Sequence, residues 1–119
     1  MLTLAALEDE ILTEAELAEI NFIAAAEHLA ETSPALARAL AAYQVAARKA
    51  EVALREANDL SDQLGAAWTK GDSMAKATSN AQQRAAAFGW VRECQKRADG
   101  FRLVLESAMK AASRCRMAA

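Results

Sequence analysis

The chain offers backbone-breaking residues at very few places, and that scarcity limits the fold more than anything else in it. Proline occurs once and glycine four times in 119 residues. Only two stretches combine a helix stop with a helix start. In ETSPAL, Ser33 is a good N-cap and Pro34 suits the first helical position, where its missing N–H costs nothing. In TKGDSM, Gly71 suits a left-handed C-terminal cap, and Asp72 or Ser73 can cap the next helix. The remainder is rich in Ala, Leu, Glu, Arg, Lys and Gln, with 32 alanines; these residues lose little side-chain entropy in a helix. The expectation is an all-α chain forming one domain over 1–119, divided into helix A (about 3–31), helix B (34–70) and helix C (73–117). Connections this short make sequential helices antiparallel, so the architecture expected is an antiparallel bundle of three long helices.

A weaker boundary lies inside helix A. LTEAEL is a capping-box pattern with Thr13 as N-cap and Glu16 three residues on, which favours a break or kink near Leu12 and Thr13. Apolar residues recur at helical spacing in all three segments. Helix A carries Leu4, Leu7, Ile11, Ala15, Ala18, Phe22, Ala25 and Leu29. Helix B runs through Leu36, Leu40, Tyr43, Ala47, Ala50, Leu54, Ala57, Ser61, Leu64 and Trp68, and helix C from Met74 through Phe88, Val91, Ala98, Phe101 and Leu105 to Cys115. The many alanines read as coiled-coil-like seams of closely spaced helices. Helices of these lengths would span roughly 44, 55 and 68 Å, so they cannot cover one another completely. Helix C must overhang, bend, or break near Gly89 or Gly100. An overhanging apolar stripe asks for a partner, which makes a homodimer through helix C one expectation.

Charge is polarised along the chain. Residues 1–31 contain eight carboxylates (Glu8, Asp9, Glu10, Glu14, Glu16, Glu19, Glu27, Glu31) and no Lys or Arg, whereas residues 73–119 sum to +6, and the whole chain to −2. Part of the acidic charge has a local use at helix N-termini. Glu27 and Glu31 are placed to face a basic helix C, while Glu8, Asp9, Glu10, Glu14 and Glu19 have no evident structural duty. Those five are candidate contacts for a protein partner with a basic surface. Trp90 joins them because tryptophan is enriched at binding hot spots; core packing is its other reading.

Catalytic and metal chemistry find little support. There is neither a Gly-rich phosphate loop nor a nucleophile elbow, and the sole histidine, His28, has no Glu three residues before it, as bundle metal sites require. No metal, cofactor or catalytic residue is therefore expected. Cys94 and Cys115 would lie roughly 30 Å apart on a straight helix, too far to bridge, and read as reduced thiols of a cytoplasmic protein. Cys94 suits a small buried site. No run approaches the ~20 apolar residues of a membrane span, and the N-terminus lacks a secretory pattern.

Two function classes remain. The first is a non-enzymatic helical protein working by protein–protein interaction, as an adaptor or as an inhibitor of a larger complex. Compact, acidic, alanine-rich helical proteins include mobile-element inhibitors such as the anti-CRISPR proteins, an analogy of class with no motif behind it. The alternative is nucleic-acid binding through a basic face of helix C, with Arg92, Lys96, Arg97 and Arg102 as the contacts. LTEAELAEI resembles the opening helix of helix-turn-helix domains, but NFIAAAEHLAE supplies neither a sharp turn nor a basic recognition helix.

Overall fold

The computed structural model describes residues 13–118. Among them are three helices and no strand: α1 (Glu14–Ala30), α2 (Pro34–Ala66) and α3 (Met74–Ala118). The all-α antiparallel bundle expected from the sequence is the fold observed.

The caps lie where the sequence places them. The Thr13 hydroxyl accepts a hydrogen bond from the Glu16 N–H at 3.1 Å, so α1 starts at the capping box. The segment of helix A before Thr13 lies outside the described residues. Ser33 caps α2 by accepting from the Leu36 N–H at 3.3 Å, with Pro34 in the first turn. Ser73 caps α3 in the same way, accepting from the Lys76 N–H at 3.2 Å.

The described α1 is 17 residues long and starts at the capping box, where the sequence favours a break. One boundary differs from expectation. α2 ends at Ala66 and not near residue 70, because the Asp72 carboxylate reorganises the following loop. It accepts from the Thr69 N–H at 2.7 Å and the Thr69 hydroxyl at 3.0 Å, and pairs with Lys76 at 3.1 Å. These contacts hold the Asp72 carboxyl below its usual range, the Thr69 backbone bond first among them. Gly71 makes the reversal with φ +101°, a conformation that side chains with a Cβ rarely adopt. Trp68 consequently falls in this loop, 41% exposed, and not on a core stripe. Finally, α3 is uninterrupted at Gly89 and Gly100: it overhangs and does not break. No neighbouring backbone approaches either glycine; a Cβ at Gly89 would meet only the Arg92 guanidinium at 3.8 Å, and one at Gly100 nothing within 4 Å.

The overhang gives an elongated molecule, 72 × 43 × 17 Å with a radius of gyration of 20.5 Å, against about 13–14 Å for a compact chain of this length. At one end all three helices meet. Ala26, Leu36, Leu40, Tyr43 and Leu105 are buried there, with Phe22, Ile23, Leu29 and Met109 packed around them. Beyond α1 the molecule continues as a two-helix arm, in which α2 and α3 pair through Ala50, Ala53 and Cys94, flanked by Val91. The α2 seam runs Tyr43, Ala46, Ala50, Ala53, Ala57, a strict 3–4 alternation that keeps one narrow face on the partner helix. Ala46 and Ala53 thus take the buried places that the sequence stripe assigned to Ala47 and Leu54. Leu54 is 45% exposed. On α3, Asn80 is buried, where the sequence stripe had Ala81.

Candidate functional site

The α2–α3 hairpin has a groove on each side of its seam, and among the described residues only one is filled. On the filled side, α1 lays Phe22, Ile23, Ala26 and Leu29 over Leu36, Leu40, Tyr43 and Leu105. The Glu19 carboxylate fixes this contact. It accepts from the Tyr43 hydroxyl at 2.6 Å and pairs with the Arg102 guanidinium, which also donates to the Tyr43 hydroxyl at 3.0 Å and to Glu106 at 3.2 Å. The same guanidinium stacks 4.0 Å above the Phe22 ring, and Phe22 meets Tyr43 edge to face at 6.1 Å. Burial pushes the Glu19 carboxyl up, but the bonds from Tyr43 and Arg102 outweigh it and leave it below the usual range. Burial and the bond to Glu19 together raise the Tyr43 phenol. Burial opposes the charge on Arg102, yet its bonds to Glu19 and Tyr43 hold it more firmly protonated than usual.

On the other side of the seam lies an open trough of about 990 Å³. Its α2 wall is Ala41, Ala42, Val45, Lys49, Val52 and Glu56, on the side of the helix turned away from α1. Trp90, Arg97 and Phe101 form the α3 wall, with Cys94 at the floor. The apolar residues are substantially exposed: Val45 56%, Val52 39%, Trp90 50% and Phe101 43%. The rim carries Arg48, Lys49 and Arg97 against one carboxylate, Glu56. Arg97 stacks over Trp90 at 5.5 Å and, among the described residues, makes no ion pair. A trough this long, floored by alanine and walled by valine and aromatic rings, is shaped for the apolar face of a helix.

The residues singled out in the sequence are dispersed over this framework. Trp90 is part of the trough. Glu19 has a structural duty after all, holding α1 to α2 and α3 through Tyr43 and Arg102. Glu14 is exposed in the first turn of α1, and Glu8, Asp9 and Glu10 lie outside the described residues. Glu27 and Glu31 are exposed and, among the described residues, make no ion pair or hydrogen bond with α3; Glu31 sits 3.9 Å from His28. The four basic residues do not share a face. Arg102 is engaged under α1, Arg97 lines the trough, and Arg92 and Lys96 project from the side of α3 opposite its buried Cys94 and Ala98. Among the described residues no group of three His, Cys, Asp or Glu side chains is placed to hold a metal ion, and no helix is long and apolar enough to cross a membrane. Cys94 is buried and Cys115 exposed, both as free thiols.

Val45, Val52, Arg48, Lys49 and Phe101 were not legible as a site. The signal that could have found them is a second heptad-spaced line away from the main stripe: Val45 and Val52 on α2, and Trp90 and Val104 on α3 with Arg97 midway between them. No protein-family model matches the chain, and neither a curated protein nor a solved structure matches it.

Proposed function

We propose that this chain is a non-enzymatic interaction module that receives an amphipathic helix of a protein partner in the open trough between α2 and α3. One observation carries the reading: among the described residues α1 fills one groove of the hairpin, while Val45, Val52, Trp90 and Phe101 stand exposed in the other. A contiguous apolar surface of this kind marks an interaction site, and the aromatic–arginine pair at Trp90 and Arg97 has hot-spot character. An adaptor, or an inhibitor that occupies a surface of a larger complex, works through such a face; the anti-CRISPR-like inhibitor is one form of that role. The free thiols fit a cytoplasmic setting. Nucleic-acid binding draws no support from the dispersed Arg92, Lys96, Arg97 and Arg102.

Affinity capture from the native host, with nuclease treatment in parallel, tests the proposal. Val52→Asp combined with Trp90→Ala is expected to lose the captured partner, while Arg92→Ala combined with Lys96→Ala keeps it. A partner that the trough variant retains, or that nuclease releases, overturns the proposal.

A further inference from the structure

The trough has a basic rim, and the outer side of α1 has the opposite character. At 100° per residue, Ile20 and Ala24 lie across the helix from Phe22 and Ala26, which face the hairpin. Ile20 is 52% exposed and Leu17 46%. Ile20, Ile23 and Ala24 line a shallow depression of about 330 Å³ bordered by Glu19 and Glu27. Glu16 and Glu31 extend the acidic border, and α1 contains no Lys or Arg. α1 therefore carries two apolar stripes, one seated in the hairpin and one bare. The bare stripe from Leu17 to Ala24 is about 10 Å long, equal to the span from Val45 to Val52.

Resting on the reading of the trough as a helix-docking site, we infer that its partner is a second copy of this chain. The second copy's α1 lays Leu17, Ile20 and Ala24 along Val45, Val52 and Trp90, with Glu16 and Glu27 against Arg48, Lys49 and Arg97. Charge complementarity argues for this occupant: the rim holds three bases and one acid, and the stripe is bordered on one side by Glu16 and Glu27 in a helix without Lys or Arg. The two patches are different surfaces on opposite sides of the hairpin, so the contact is heterologous. Each added copy presents the same two patches again, and association runs head to tail without closing at a dimer.

Light scattering on the full chain from micromolar to millimolar concentration tests this, with two variants whose changes are confined to exposed side chains: Ile20→Asp with Ala24→Asp, and Val52→Asp. Matching circular dichroism establishes that both remain folded. The wild-type mass is expected to rise steadily with concentration and to fall with added salt. Each variant alone stays monomeric, and an equimolar mixture stops at a one-to-one pair, since each supplies the patch the other lacks. A wild-type chain that is monomeric throughout, or a mixture that fails to pair, overturns the inference. Should the wild type be monomeric while Val52→Asp still loses a captured partner of different sequence, only self-association falls. Association that survives Val52→Asp overturns the trough reading as well.

Discussion

On one side of the α2–α3 hairpin, α1 covers Leu36, Leu40, Tyr43 and Leu105; on the other, Val45, Val52, Trp90 and Phe101 stand in water. Both grooves flank one seam, and the seam explains how one can stay empty. Ala46, Ala50, Ala53, Ala57, Cys94 and Ala98 let α2 and α3 pair closely through small side chains. Two helices joined in this way bury little large apolar area, so a third helix is needed wherever bulky residues are to be sequestered. Among the described residues α1 meets that need at one end and on one side. The same contrast appears in the arginines five residues apart on α3. Arg102 has Glu19, Glu106 and Tyr43, whereas Arg97 has the face of Trp90. Arg102 thus belongs to the structural side, whereas Arg97, among the described residues, has no carboxylate partner.

The contrast is open to attack by substitution. Leu105→Ala, at a site with no exposure, is expected to lower unfolding free energy by about 2–5 kcal/mol in urea titration, whereas Phe101→Ala one turn away costs about 1 kcal/mol or less. Equal effects would mean that the two sides are equally structural. Arg102→Met strips Glu19 and Tyr43 of their shared donor and is expected to cost about 1–2 kcal/mol, toward the lower end for a charge-assisted contact because the pair is partly exposed. Arg97→Met is expected to leave the urea midpoint nearly unchanged. Ser33→Ala removes the cap that starts α2 and should cost about 1 kcal/mol.

The smallest effect is one of pH. The folded-state pKa of Glu19 is depressed, so its contribution is fully present above the ordinary carboxylate range and is lost as pH falls through the lowered value. Tyr43 is raised, and its contribution is lost as pH climbs past the ordinary phenol range of about 10. Urea midpoints measured against pH should show an acid-side decline that is shallower in Glu19→Gln than in the wild type. Identical slopes would remove Glu19 from the attachment of α1.

How far the sequence discloses this division follows from what each feature depends on. Caps are local: Thr13, Ser33 and Ser73 each bond a backbone N–H three residues on, and side chain and spacing suffice to find them. The all-α class follows from composition for the same reason. The end of α2 was missed because Asp72 acts through a loop closed by Thr69 and Lys76, where a run of helix formers gives no warning. Glu19 was misread because its partners are 24 and 83 residues away, a separation that no pattern along one helix reveals. The trough was hidden in a similar way. Its walls come from two helices, and a residue such as Val52 reads as an ordinary surface valine until α3 is set beside it.

The central claim is that the open trough serves binding and not stability. Its most direct test combines Val52→Asp with Trp90→Ala and records the urea midpoint and partner capture on the same preparation. The expected result is a midpoint within about 1 kcal/mol of wild type in unfolding free energy together with lost capture. Capture retained at wild-type stability would contradict the claim.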